Sequence, residues 1–145
     1  MSVIFNDFSK ELNAKIKELG VAWLEEASGE VEAQTKKNTK VAKENGGKTK
    51  GSWEHGVDKD RLEAYVGSRY KNALWEELGT GIYALNGDGR KTKWAYPDPL
   101  GKVDKNGKVI FHATVGKKPR RALHYAYSSL KNRIINNARK RFKGI

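Results

Sequence analysis

The sequence predicts an α+β fold in which a small antiparallel sheet is flanked by a long N-terminal helix and a C-terminal helix, with a long extended arm loop. Three observations predict this class: helical apolar stripes towards both ends of the 145-residue chain, short segments of strand character between them, and a weakly structured stretch over residues 80–118. One core is expected at this length, so we predict a single domain over residues 1–145.

The N-terminal element is a long amphipathic helix from about Asp7 to Lys43. Asn6 or Asp7 can cap its start, and Gly46 and Gly47 end it. Unbroken, the helix would be roughly 55 Å long, whereas a compact domain of this size is about 40 Å across. It therefore either breaks or reaches beyond its own domain to a neighbour. The predicted apolar stripe consists of Phe8, Leu12, Ile16, Leu19, Trp23, Ala27 and Val31.

The middle of the chain predicts a hairpin and a short helix. The segments Ser52–Val57 and Leu62–Gly67 flank a charged four-residue turn, which indicates two antiparallel strands. The next segment, Tyr70–Leu78, has apolar residues at helical spacing. Gly79 follows it, in the position where a helix commonly takes a left-handed residue.

The arm loop covers residues 80–118 and is rich in Gly, Pro, Asn and Lys. It contains a plausible strand pair around Trp94–Tyr96 and Val109–Thr114. Nearly forty residues of weak structure inside a compact domain are often functional. Pro119, which suits a first helical turn, then opens a helix over residues 119–143. Its predicted apolar stripe is Leu123, Tyr127, Leu130, Ile134 and Ala138.

The positive charge lies in the C-terminal third. Up to Asp104 the chain has 17 basic and 17 acidic residues, whereas the last 41 residues have 12 basic and no acidic ones, which gives the net charge of +12. Such a field favours nucleic acid, an acidic protein surface or anionic lipid, and the alternative is a solvated helix face. The candidate contacts with DNA or an acidic partner are Arg121, Lys131, Arg133, Arg139, Lys140 and Arg141.

No motif for catalysis or cofactor binding emerges. The chain has no cysteine, so it lacks thiolate nucleophiles and Cys-based zinc sites. Its three histidines are far apart and show no metal-binding spacing. Gly47-Lys48-Thr49 resembles the end of a phosphate-binding loop, but that motif needs a glycine where Ala42 stands. We therefore predict no catalytic residue, no metal, no cofactor and no enzymatic activity.

The chain also lacks the signals of export and membrane insertion. Its first fifteen residues mix acids and lysines, unlike a signal peptide, and nowhere do ~18 apolar residues run together. We expect a protein that is made in the cytosol and has no membrane partner.

Cations alternate with aromatic rings in the segment from Gly89 to Tyr96. Such a mixture can grip a nucleic acid backbone and stack a base. It can also dock on a neighbouring subunit, because aromatic residues and Arg are enriched at protein interfaces. We favour the interface.

Three motifs follow one another in a distinctive order along the chain: Tyr70-(x2)-Ala73-(x3)-Glu77-Leu78-Gly79-Thr80-Gly81, then Gly89-Arg90-Lys91-Thr92-x-Trp94-x-Tyr96, then Thr114-x-Gly116-x-Lys118-Pro119-(x2)-Ala122-Leu123-(x2)-Ala126. In this order the chain resembles the tail-component family of siphophages, also described as head-tail joining or tail-completion proteins. The resemblance extends from about residue 5 to residue 135.

The resemblance implies a non-enzymatic virion protein, made in the host cytoplasm, whose subunits form a ring around the DNA path in the neck. Six subunits are favoured and twelve are the alternative. Its partners would be other neck, portal-side or tail-tube proteins, and genomic DNA in the channel. The implied subunit-interface residues are Trp94, Tyr96, Arg90, Glu77, Gly79, Thr80 and Gly81. The alternative function is a free nucleic-acid-binding protein that acts through its basic C-terminal helix.

Overall fold

The computed structural model describes residues 7–41 and 47–145. In these ranges the predicted α+β class is confirmed. The elements in chain order are α1 (Ser9–Asn38), α2 (Lys48–Gly51), β1 (Trp53–Asp58), β2 (Glu63–Ser68), α3 (Lys71–Leu78), a 3-10 turn (Gly81–Tyr83), β3 (Trp94–Pro97), β4 (Phe111–Thr114) and α4 (Ala122–Arg141).

The chain divides into two compact units, where the sequence predicted a single domain. The first unit contains the described residues up to Arg69 together with Leu123–Ile145, and the second unit is Tyr70–Ala122. The described strands pair only with their sequence neighbours, so they form two antiparallel sheets of two strands each, β1-β2 and β3-β4, in place of one sheet. No helix in the described ranges has both the length and the apolar character needed to cross a membrane.

Helix α1 is unbroken over 30 residues and is therefore about 45 Å long. At its start the Asp7 carboxylate accepts a hydrogen bond from the Ser9 N–H at 2.9 Å, which lowers the pKa of Asp7. The other predicted cap, Asn6, lies outside the described residues, as do the predicted end at Lys43 and the P-loop position at Ala42. The helix ends earlier, at Asn38.

A chain of hydrogen bonds through two threonine side chains connects the end of α1 to the hairpin. Trp53, only 4% exposed at the start of β1, donates from Nε1 to Thr39 Oγ1 at 2.9 Å. The Thr39 hydroxyl donates to the Thr35 carbonyl at 2.8 Å, and the buried Thr35 hydroxyl donates to the Val31 carbonyl at 2.7 Å. Thr39 has extended backbone, so α1 ends just before the residue that accepts the hydrogen bond from Trp53.

The predicted β1-β2 hairpin is confirmed, with each strand one residue further along the chain. Its register runs from Trp53 opposite Ser68 to Asp58 opposite Glu63, and the Asp58 carboxylate closes the turn. His55 in β1 contacts the carboxylate of Glu32 on α1, which also pairs with Lys36. The hydrogen bond from Lys36, followed by that from His55, lowers the pKa of Glu32. A side-chain hydrogen bond thus joins helix and hairpin.

Helix α4 begins at Ala122, so the predicted start at Pro119 is wrong. Arg121 has a positive φ of 54°, a left-handed conformation that the first turn of an α-helix cannot contain. The backbone N–H groups of Arg120 and Arg121 donate instead to the Glu76 carbonyl, at 2.6 and 3.4 Å. The helix ends at Arg141, two residues before the predicted Lys143.

Four members of the predicted apolar stripes differ from expectation. On α4 Tyr127 is 50% exposed, and the fully buried residue is its neighbour Ala126. On α1 the first three stripe residues, Phe8, Leu12 and Ile16, are exposed, while Val31 is buried. The helix is therefore longer than the part of the unit that covers it.

Helix α4 lies against α1. The Trp23 indole donates to the Ile134 carbonyl at 3.3 Å, and two ion pairs join Glu30 with Arg133, at 2.7 Å, and Glu26 with Arg141. These polar contacts connect the two terminal helices of the first unit.

The hydrogen bond between Trp53 and Thr39 leads to a stability prediction. Thr39→Val keeps the shape of the side chain and removes the acceptor, which leaves a buried indole N–H unpaired. We expect a loss of about 1 to 3 kcal/mol in the free energy of unfolding, measured by urea denaturation. The control Thr92→Val, at an exposed site, should change stability by less than about 0.5 kcal/mol. Equal losses in the two variants would contradict this role of Thr39.

Candidate subunit interface

The centre of the second unit is a close crossing of two backbone segments, 79–82 and 115–117. The Thr80 N–H donates to the Lys117 carbonyl at 2.9 Å, and the Lys117 N–H donates to Thr80 Oγ1 at 2.9 Å. The Ile82 N–H donates to the Val115 carbonyl at 3.0 Å. Thr80 therefore joins both ends of the arm at its base.

Glycines make this crossing possible. Gly81 and Gly116 have positive φ angles of 61° and 132°, which other residues rarely adopt. A Cβ on Gly81 would lie 2.0 Å from the Val115 carbonyl oxygen, and one on Gly116 would lie 2.1 Å from that of Thr80. No side chain fits at these distances. The Glu-Leu-Gly-Thr-Gly motif and the Gly-x-Lys-Pro motif thus meet in space because each supplies a glycine.

This geometry gives the predicted interface residues of the first motif an internal role. Gly79 and Gly81 are buried, so their surfaces are covered by their own chain. Thr80 uses its hydroxyl within the crossing. Glu77 is half-buried at the end of α3. In the structure these residues build the base of the arm, and Arg90, Trp94 and Tyr96 lie further along it.

Glu76, which is not among the predicted site residues, clamps the crossing from α3. Its carboxylate pairs with Lys117 and lies 3.4 Å from Arg120 Nε, while its carbonyl accepts the Arg120 N–H. The glutamate side chain is largely buried. The signal that could have indicated it is the run of cations from Lys117 to Arg121, which needs a carboxylate nearby.

Beside the crossing lies an open pocket of about 260 Å³. Its apolar wall comes from α3 and from the turn after it, and Thr80, Asn86 and Asp88 add polar groups to the lining. Leu74, Trp75 and Leu85 in this wall are each about half exposed, so the pocket opens to solvent. The apolar wall residues are Leu74, Trp75, Leu78, Ala84 and Leu85.

The aromatic residues of the arm have partners on the arm itself. The Arg90 guanidinium lies 5.6 Å from the centre of the Trp94 ring, a cation–π contact. The Tyr96 and His112 rings face each other across the strands at 5.6 Å. His112 Nε2 is 2.8 Å from the Asp98 carboxylate, and this hydrogen bond is the main reason why the pKa of Asp98 lies below its usual value.

The other face of the β3-β4 hairpin is apolar and open. Phe111 is paired with Pro97, and Val109 is paired with Val103. Because alternate residues of a strand share a face, Val109 lies on the side of Phe111, opposite to that of His112. Phe111 is 62% exposed, Val103 53% and Val109 51%.

The six predicted cationic contacts divide into two groups. Arg133 and Arg141 form ion pairs with α1, and the Arg121 N–H bonds to Glu76. Lys131, Arg139 and Lys140 are exposed on α4. Only the second group combines exposure with a position away from the α1 contacts.

Comparisons with protein-family models, with curated proteins and with solved structures find no match for this chain. Within residues 7–41 and 47–145, no cluster of His, Asp or Glu side chains could hold a metal ion.

The crossing gives a prediction with a matched control. Gly81→Ala and Gly87→Ala both place alanine at a positive φ, which costs ~1 to 2 kcal/mol. Gly87 has open space around it, whereas a Cβ at Gly81 meets the Val115 carbonyl. We expect Gly81→Ala to lose at least ~1 to 3 kcal/mol more than Gly87→Ala, as for an overpacked site, in thermal unfolding followed by circular dichroism. Similar losses would show that the crossing tolerates a side chain.

Proposed function

We propose that this protein is a structural component of a tailed-bacteriophage virion and forms a ring in the neck, where it joins head to tail or completes the tail. The observation that carries the proposal is the second unit, in which two of the three motifs converge on a glycine crossing that supports an exposed arm with an apolar hairpin face. The function is binding, without turnover.

The poor core of the second unit supports an assembly role. Its buried apolar residues are two alanines, Ala73 and Ala122, whereas many of its large apolar side chains, such as Trp75 and Phe111, are exposed. A two-stranded hairpin alone is at best marginally stable in water. Exposed apolar patches of this kind mark interaction sites in soluble proteins. Such a unit is suited to a protein that reaches its final state next to neighbours.

The exposed start of α1 supports the same role. Its stripe of Phe8, Leu12 and Ile16 continues the face that contacts α4 further along the helix, since these positions are spaced at helical intervals. A second apolar surface in a small subunit fits an assembly with several contacts per subunit. Surfaces that differ from each other give head-to-tail contacts, which close into rings.

The resemblance supplies the rest of the proposal. It favours a ring of six, with twelve as the alternative, and other neck, portal-side or tail-tube proteins as partners in the virion. Lys131, Arg139 and Lys140 would face the DNA path or an acidic partner ring, because they are exposed on α4.

A second candidate function is a free nucleic-acid-binding protein that uses the exposed cations of α4. The uneven charge favours it, because all of the net +12 comes from the part of the chain after Asp104. Such a protein would act as a monomer or dimer. Its affinity for DNA would fall steeply with salt.

The arm residue Trp94 provides the first test. It is half-buried and stacked with Arg90, so Trp94→Ala should leave the subunit folded. Aromatic residues at the centre of an interface often contribute more than ~2 kcal/mol, so we expect impaired assembly. Circular dichroism measures folding, and sedimentation with negative-stain imaging measures rings. The control is Lys93→Ala at the exposed neighbouring position. Loss of helicity in Trp94→Ala would instead identify Trp94 as a core residue.

The two groups of cations provide the second test. Replacing Lys131, Arg139 and Lys140 by Gln should leave the unfolding midpoint unchanged and reduce the joining of purified heads and tails at low salt, because exposed charges are screened within ~8 to 10 Å at higher salt. Replacing Arg133 and Arg141 by Gln removes the pairs with α1. These pairs are partly exposed, so the loss of stability should stay within ~1 kcal/mol per pair.

DNA binding separates the two functions in the same experiment. A free binder should hold a fluorescent duplex tightly as a monomer or dimer, with a slope of log K against log salt of about −0.9 per phosphate contacted. The triple Gln variant should then show a less steep slope of log K against log salt, by the amount expected for the loss of about three phosphate contacts. A neck component should bind the duplex weakly. Tight monomeric binding would replace the proposed function by the second candidate.

A further inference from the structure

We propose that the apolar face of the β3-β4 hairpin, formed by Val103, Val109 and Phe111, docks into the pocket beside α3 of a second copy of the chain. This inference rests on the proposed ring and specifies which two surfaces meet in it. Both surfaces belong to the second unit, and each is described by its own contacts.

The hairpin face is the projecting partner. Its three apolar side chains are each more than half exposed, with Phe111 the most exposed of them. The backbone holds them together, because the Ile110 carbonyl accepts a hydrogen bond from the Asp98 N–H at 2.8 Å and the Ile110 N–H donates to the Lys102 carbonyl at 3.1 Å. The face therefore has a fixed arrangement in the free subunit. A preorganised apolar face loses little conformational entropy on docking.

The pocket is the receiving partner, and its size suits an aromatic ring. A cavity of about 150 Å³ lined by apolar side chains is enough to hold benzene, and this pocket has about 260 Å³. Phe111 therefore fits with room for part of a neighbouring valine. The wall supplies Leu74, Leu78 and Leu85 for apolar contact, and Trp75 offers a ring for an edge or stacked contact.

The occupant is a second copy because the chain leaves both surfaces open at once. The hairpin face is exposed and the pocket is accessible in the same unit, so the arm does not fill its own pocket. The charges are of opposite sign, since Asp88 is the one charged residue among the described residues that line the pocket, whereas the exposed tip of the hairpin carries Lys105 and Lys108 against one acid, Asp104. Two different surfaces on one chain make a heterologous contact, which repeats from subunit to subunit.

The absence of cysteine from the sequence allows a direct test by disulfide trapping. Val109→Cys labels the hairpin face, and Leu85→Cys labels the pocket. Mixed and oxidised, these variants should give a covalent heterodimer, whereas each alone should not crosslink. The double variant should give a ladder of bands that ends at the ring number. The matched control is His112→Cys on the opposite hairpin face, which should not crosslink with Leu85→Cys.

A complementation experiment tests the same contact without crosslinking. Phe111→Ser keeps the pocket but removes the projecting phenyl group. Leu85→Glu keeps the phenyl group of Phe111 but places a charged side chain in the pocket. Each variant alone should self-associate about 30-fold more weakly than wild type, as expected for the loss of a central contact. Mixed one to one, they should form a heterodimer and nothing larger by light scattering. Phe111→Leu should retain most of the assembly, and circular dichroism should show all variants folded.

The outcomes separate this inference from the proposed function. If wild type forms rings while Phe111→Ser also forms them and no 85–109 crosslink appears, the docking is wrong and the ring stands. If wild type forms no rings at high concentration and the 85–109 cysteine pair gives no crosslink, both are overturned. A crosslink together with the heterodimer supports both. A crosslink with unimpaired assembly of folded Phe111→Ser would overturn the assigned contact.

Discussion

The close approach of two glycine-containing backbone segments, 79–82 and 115–117, is the contact on which the second unit depends. It brings together chain segments some thirty-five positions apart without a large apolar core, through backbone hydrogen bonds and the Glu76 clamp. Hydrogen bonds of this kind contribute only ~0.5 to 1.5 kcal/mol each. Their value here is geometric, because they fix both ends of a long loop at one point and so give the β3-β4 hairpin a defined base.

Local patterns allowed much of the fold to be predicted. The α1 helix, the β1-β2 hairpin and the α3-Gly79 ending depend on neighbours in sequence, and each is present within a few residues of the expected position. The start of α4 was wrong because Arg121 is held in a left-handed conformation by the Glu76 carbonyl, a long-range contact that helix-start rules cannot contain.

The candidate site was predictable in its composition and less so in its geometry. The arm and its aromatic residues stand out in the sequence because cations and rings alternate there. The exposed hairpin face that contains Phe111 does not stand out in the sequence, because only the register of β3 with β4 shows which residues lie on the same face. The roles of Arg133 and Arg141 were also hidden, because their partners Glu30 and Glu26 lie more than a hundred residues earlier.

The first unit is discontinuous in sequence, and this has a consequence for the order of events during synthesis. Contacts such as Trp23 with Ile134 and Glu26 with Arg141 span 111 and 115 positions. At about 5 to 20 residues per second, the ribosome needs roughly 5 to 20 s to make the chain between the partners. The second unit, whose segments are closer together, is complete before α4 emerges. The second unit is thus synthesised before the contacts between α1 and α4 can form. A translation product that stops short of α4 would contain the arm but would lack these contacts of the first unit.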